Sequence, residues 1–307
     1  MPGQHPGTQI LDLCVKARKE LLLVAPFIKY EALRRILQEV HDHVAIRCVT
    51  RWRPDEIAAG VSDIQVWDLF RENDNRTLYL CHNLHAKFYR ADEHCLVGSA
   101  NLTLTALGWS PAPNLELLIT SGHTEHLEAF EDELLASLIE VDDVLYEQVS
   151  KLIIPIPGQI NGPIEDIIST VSIDFRCWLP TLRTPEKLFT AYQGQYDELT
   201  TVARSASLDD LLAFNLPPGL DQEQFNRYIA ATLIQLPLVR KVDSFVEQPR
   251  RFGEVKSLLK QLACNSEAQT FDAAAAWQTL MRWLLYFLPE HYELVVPRHT
   301  EIFARKR

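Results

Sequence analysis

In the stretch LHAKFYRADEHCLVGSANLTLTALG, residues 84–108, His85 and Lys87 stand two apart, and Gly98-Ser99-Ala100-Asn101 follows after a short polar turn. These residue types point to one kind of chemistry. His85 offers a nitrogen that can serve as nucleophile or base, Lys87 a fixed cation, Ser99 and Asn101 two neutral donors. A phosphoryl group, with its charge spread over several oxygens, is what such a set fits. The glycine before the serine lets the backbone approach a ligand closely. A rival reading takes Cys81, His82, His85, His94 and Cys95 as zinc ligands. Against it, the chain has neither HExxH nor a paired CxxC, and on alternating strands the two cysteines belong to the core.

Strands must hold these side chains in place. LHAKFYR and HCLVGS read as a hairpin closed by ADE, which brings Gly98 and Ser99 back beside the start of the first strand. Side chains alternate along a strand, so His85, Lys87 and Tyr89 are expected on one face and Ala86 and Phe88 on the other. Upstream, TQILDLCVKARK and KYEALRRILQEVHDH have helical spacing, and ELLLVAPFI and VAIRCVT read as buried strands. RTLYLCH and NLELLIT are further strands, TEHLEAFEDELLASLIEV is an amphipathic helix, and DIQVWDLFR fits either type. Strands interleaved with helices give an α/β domain, a mixed sheet flanked by helices, over residues 1–153. The segment IPIPGQINGP, residues 154–163, carries three prolines and two glycines and reads as a linker. Residues 164–307 form a mainly helical C-terminal domain, with DQEQFNRYIAATLIQL, FGEVKSLLKQLAC and FDAAAAWQTLMRWLLYFL as its helices.

Composition limits the function. The 307 residues are 47% hydrophobic and 23% charged, ordinary for a globular protein, and no apolar run is long enough to span a membrane. The start, MPGQHPGTQ, lacks the pattern of a secretory signal, and the six scattered cysteines read as reduced thiols, so a cytoplasmic location is expected. Net charge is −11, and residues 1–150 hold 13 Lys and Arg against 23 Asp and Glu, with no Lys or Arg at all in 101–150. A binder of polyanions along its whole surface would be basic. Any positive charge used on a phosphate is therefore local.

The segment HAKFYRADEHCLVGSANLT resembles the HxKxxxxD…GSxN signature of the phospholipase D superfamily, with Asp92 to Gly98 one residue shorter than the commonest spacing. The resemblance covers roughly residues 8–150 and says nothing of 160–307. It implies a phospholipase D-like fold and a covalent phosphohistidine at His85. It further implies that Lys87, Ser99 and Asn101 bind the phosphate oxygens, and that Glu116, from NLEL, orients a histidine and supports its charged form. Asp92, at the turn, reads as structural. No metal or other cofactor is implied. A second histidine must protonate the leaving group. None of His5, His41, His43, His82, His94, His123, His126, His291 and His299 is followed two residues on by lysine. Single-motif members of the superfamily build their site across a two-fold dimer, so a homodimer with one composite site is expected.

Beyond the signature, VTRWRPDE follows a strand, where α/β proteins place binding loops. Arg51 and Arg53 there are candidates to contact a phosphate backbone, and Trp52 to stack on a base; the bland reading is a solvated loop with a packed tryptophan. The stretch TRWRPDEIAAGVSDIQVW also resembles the corresponding part of bacterial members read as nucleases. In the C-terminal domain, DAAAAWQTLMRWLLYFL followed by YELVVPRHTEIFARKR fits a recognition helix and wing ending in Arg305, Lys306 and Arg307. The alternative is helices that pack on the dimer or on a partner. Together these readings give a metal-independent nuclease, acting on nucleic acid and above all DNA. By family analogy it belongs to a bacterial restriction or defence system with protein partners of its own, and it needs no membrane. A phospholipase or phosphatidyltransferase is the alternative, and a non-catalytic nucleic-acid-binding module the second.

Overall fold

The computed structural model describes residues 5–153, 176–263, 271–297 and 300–306. The expected linker 154–163, Cys264, His299 and Arg307 lie outside the described residues. The chain divides into two compact units, Met1–Ile164 and Glu165–Arg307.

The first unit begins with α1 (Pro6–Lys16), β1 (Glu20–Val24), α2 (Tyr30–Leu37), β2 (Ala45–Thr50) and α3 (Pro54–Ala58). After a 3-10 turn at Ile64–Leu69 come β3 (Arg76–Leu80), β4 (Phe88–Ala91), β5 (His94–Gly98) and β6 (Leu118–Gly122), then α4 (Glu125–Leu135), β7 (Ile139–Glu140) and α5 (Asp143–Leu152). The seven strands form one mixed sheet in the order β6-β5-β4-β1-β2-β3-β7. β1 and β2 run parallel, as do β2 and β3, while β4, β5, β6 and β7 join antiparallel. Residues Leu21 to Val24 are all buried because helices cover the centre of the sheet, which is why this strand reads as an unbroken apolar run.

Four segments differ from the sequence expectation. DIQVWDLFR is neither strand nor α-helix but the 3-10 turn. LHAKFYR pairs only from Phe88, so His85 and Lys87 sit on an extended neck ahead of β4, and NLELLIT pairs only from Leu118. The amphipathic helix stops at Leu135, and Ile139–Glu140 bonds instead to the free edge of β3. Tyr89, expected beside His85, is fully buried, because both faces of β4 are covered; its hydroxyl donates to the Ala100 carbonyl at 2.6 Å.

The hairpin turn rests on Asp92, which has φ of 48° in the left-handed region that Asp tolerates. Its carboxylate accepts the backbone N–H groups of Arg18, Lys19 and Glu20 at 2.8, 3.0 and 3.0 Å, tying the hairpin to the start of β1. Desolvation pushes the carboxyl up, but these three bonds outweigh it and hold its pKa low. Arg90 clamps α4 to the sheet, with Nε and Nη2 on the two Glu131 oxygens at 2.6 and 2.9 Å.

The second unit holds α6 (Leu188–Tyr192), α7 (Thr201–Phe214), α8 (Gln222–Leu233), α9 (Pro237–Phe245), β8 (Arg250–Arg251), α10 (Phe252–Ala263), α11 (Ala273–Phe287), β9 (Tyr292–Val295) and β10 (Ile302–Arg305). Its three strands pair in the order β8-β10-β9. α11 is followed by the antiparallel pair β9 and β10. Trp277, Leu280, Met281, Trp283, Leu284 and Phe287 along α11 are buried, while Gln278 and Arg282 on it are exposed. Trp283 stacks on Phe214 and donates its indole N–H to the Leu182 carbonyl at 2.7 Å. Arg305, expected in a basic end, lies against Asp243 and Glu247 at 3.5 and 3.7 Å.

Candidate active site

The neck before β4 and the end of β5 meet at an open cavity of about 570 Å³. One side carries His85, Lys87, Gly98 and Ser99; the other is apolar, with Ala86, Phe88, Val97, Leu127 and Phe130. The Phe130 ring stands edge-on to Phe88, centroids 5.7 Å apart. β4 and β5 pair with Phe88 opposite Val97, and this register sets the neck of β4 against Gly98 and Ser99. The sequence spacing thus becomes a cradle: an exposed imidazole, a lysine, a glycine and an exposed hydroxyl around one space.

The polar contacts give each group an orientation. Lys87 Nζ donates to the His85 carbonyl at 2.8 Å. Ser99 Oγ donates to Glu116 Oε2 in a very short bond and accepts the Leu117 N–H at 3.2 Å. The other Glu116 oxygen accepts from Asn114 Nδ2 at 3.2 Å. Asn101 Oδ1 accepts the Phe27 N–H at 3.3 Å, which fixes the amide and leaves Nδ2 outside that bond. Within one copy, then, Glu116 is joined to a serine and an asparagine rather than to a histidine. The topology gives the reason: β5 separates the segment before β6 from the neck that bears His85.

Gly98 admits no side chain. A Cβ there would stand 1.9 Å from the Leu117 carbonyl oxygen, so close approach of β6, not freedom of φ, demands glycine.

Arg51, Trp52 and Arg53 are placed differently from the sequence expectation, and the correction has a physical cause. All three are interior, 4%, 1% and 7% exposed. The first turn of α3 presents Asp55 and Glu56 inward, and these carboxylates draw both guanidinium groups inside. Arg53 Nε and Nη2 each lie 3.3 Å from Asp55, and Trp52 packs edge-on to Tyr146 at 6.3 Å. A phosphate contact or a stacking surface needs an exposed head group, which none of them offers. No sequence pattern marks Glu56, the residue that organises this cluster; burial pushes its carboxyl up, against the pull of Arg51.

The zinc reading also meets the geometry. Cys81 and Cys95 are in the core, where burial raises both thiols, Cys95 to about 11. Among the described residues, no three His, Cys, Asp or Glu side chains come together as a ligand set. His82 is half-buried, and burial together with the charges of Arg53 and Arg51 lowers its pKa to about 3.

No family model matches the sequence, and no curated protein matches it. Among solved structures, the chain is similar to NucT from Helicobacter pylori, with 13% identity and a TM-score of 0.36, covering 44% of this chain and 89% of that one. It is also similar to phosphatidylserine synthase from Haemophilus influenzae, with 17% identity and a TM-score of 0.35, covering 41% of this chain and 33% of that one. His85 and Lys87 of the HxK pair and Gly98 and Ser99 of the GSxN run line one cavity on this sheet. Among the described residues, no helix is long and apolar enough to cross a membrane.

Proposed function

We propose that the protein is a phosphodiesterase that cleaves nucleic acid through a covalent phosphohistidine, with one composite site per homodimer. The observation that carries this reading is the shared cavity of His85, Lys87, Gly98 and Ser99. A His85 nitrogen attacks phosphorus, the bond to the leaving oxygen breaks, and a second histidine gives that oxygen a proton. Water, deprotonated by the same second histidine, then attacks phosphorus and releases His85. Lys87, Ser99 and the Asn101 amide face the phosphate oxygens, whose charge they offset.

One copy has a single HxK pair, so the second histidine is His85 of another copy. The surface for it is at hand. β6 is an edge strand, and Leu115, Leu117 and Ile119, beside Glu116, are 102%, 62% and 59% exposed. An apolar row of this kind on an open edge favours pairing with another chain. In such a pair Glu116 of one copy supports the histidine of the other.

The apolar wall bears on the substrate. Phe130, half-buried, suits stacking by a base, which favours nucleic acid. The same wall would accept an acyl chain, and that is the one observation favouring a lipid diester. The test is incubation of the pure protein with labelled single- and double-stranded DNA, RNA and phospholipid vesicles, beside His85→Ala. Cleavage of nucleic acid by the wild type alone is expected, with the cleaved strand trapped on His85 through its phosphate in samples quenched with denaturant at mildly alkaline pH, where the phosphorus–nitrogen bond survives. Lipid turnover alone would replace the nuclease reading, and binding without cleavage would leave a nucleic-acid-binding module.

A further inference from the structure

Arg51 is interior, yet it is joined to both halves of the candidate site. Nε and Nη2 donate to the two Glu56 oxygens at 3.0 and 2.5 Å, and Nη1 donates to the Leu84 carbonyl at 2.7 Å. Leu84 immediately precedes His85. The guanidinium carbon lies 5.4 Å from the centre of the Phe27 ring, and the Phe27 N–H is the donor to Asn101 Oδ1. One cation thus connects the neck that carries His85 with the loop that holds Asn101.

The neck needs such a connection. It precedes the strand, which begins at Phe88, and is tied to β5 through the Lys87 carbonyl, which accepts the Gly98 N–H at 3.3 Å. Its upstream turn is docked by Cys81 N–H on the Thr50 carbonyl at 2.9 Å and Leu84 N–H on the Cys81 carbonyl at 3.2 Å. The Leu84 carbonyl is the last atom of that turn before His85, and the peptide plane it belongs to sets where the His85 side chain departs. A charge-assisted bond to that carbonyl holds the plane more firmly than a neutral one. Glu56, binding the guanidinium through both oxygens, fixes its orientation in turn.

We propose that Arg51, locked by Glu56, is a positioning residue: it orients His85 through the Leu84 carbonyl and Asn101 through Phe27. The proposal rests on the reading of His85 as the nucleophile. Arg51 touches no substrate, and its effect is on the geometry of attack.

Two variants test it in the full-length protein. Arg51→Lys keeps the charge and loses the fork. The double variant Arg51→Met with Glu56→Gln removes both charges together, so that no buried carboxylate is left without its partner. Kinetics are read on a diester that the wild type turns over, and amide hydrogen exchange is read over segments 84–88 and 101–103. The expected result for the double variant is a kcat lower by about a hundredfold with KM nearly unchanged, as for a small misplacement of reacting groups. Exchange should quicken in both segments and stay slow in β1 and β2, and Arg51→Lys should fall between. Unchanged kcat, or unchanged exchange in both segments, overturns the proposal. So does a double variant that fails to fold, because the pair would then be general scaffolding. If the wild type cleaves no diester, the reading of His85 fails instead, and the exchange data still decide whether Arg51 holds the neck.

Discussion

At the scale of residues, the Ser99 hydroxyl is the most constrained group in the cavity. Its one proton goes to Glu116, and its oxygen already accepts the Leu117 N–H. A phosphate oxygen arriving at Ser99 must therefore compete with Glu116 for that proton, or find it already shared. Serine and carboxylate should behave as one unit. Ser99→Ala and Glu116→Gln are each expected to lower kcat/KM by about a hundredfold, the range for loss of one oxyanion donor. The double variant should be little worse than either, because coupled groups are non-additive. Measuring the four proteins decides the matter: losses that simply multiply would mean the bond between them is incidental. A second expectation follows from His85 and Lys87. A nitrogen nucleophile backed by a fixed cation has no need of a Lewis acid. Turnover should persist in EDTA. Loss on chelation, reversed by one particular divalent ion, would contradict this.

At the scale of elements, the site depends on how closely β6 approaches β5. Gly98→Ala would push a methyl against the Leu117 backbone, which cannot yield as a side chain would. The expected cost is about 1–3 kcal/mol of stability, in the range of overpacking, with turnover lowered because Glu116 moves off Ser99. Thermal melting beside kinetics checks it, and an alanine variant that melts and reacts like the wild type refutes it. The turn between β3 and β4 brings a pH dependence. His82 falls from an ordinary value of 6.5 to about 3 in the fold, through burial and then Arg53 and Arg51. Between those values the unfolded chain binds the extra proton, so stability is lost as pH drops from about 6.5 toward 3. His82→Gln should flatten that slope in urea unfolding at a series of pH values, and an unaltered slope would remove His82 as its cause. What could be seen in the sequence follows from range. Unbroken apolar strands, the ADE turn and the HxK and GSxN spacing are local patterns, and each survives in the fold. A loop arginine alone looks solvated, whereas the partners of Arg51, Glu56 and the Leu84 carbonyl, are brought to it by a helix turn and a strand crossover. LIEV continues the helical periodicity of the preceding segment, and pairing with the open edge of β3 makes Ile139–Glu140 a strand.

At the scale of the molecule, an acidic protein must hold a polyanion by a small cationic spot. Residues 101–150 supply no Lys or Arg, so in one copy Lys87 is the lysine or arginine lining the cavity. Under our proposal a two-fold axis at the β6 edge brings a second His85, Lys87, Ser99 and Asn101 to the same phosphate. The local field turns positive there, and the missing proton donor is supplied in the same step. One phosphate, rather than two, is then served by each pair. Mixing wild type with His85→Ala under conditions of subunit exchange therefore reads the arrangement directly. A pair with one His85 either lacks the proton donor or lacks the nucleophile, and it stops before release. Activity should follow the square of the wild-type fraction, falling to about a quarter when half the subunits are wild type, whereas independent sites would leave about half. Exchange is verified separately with two differently tagged copies. If activity instead tracks the wild-type fraction in a straight line, each copy works alone. The second catalytic group must then be sought within the chain, and His94 and His126 become the first to replace.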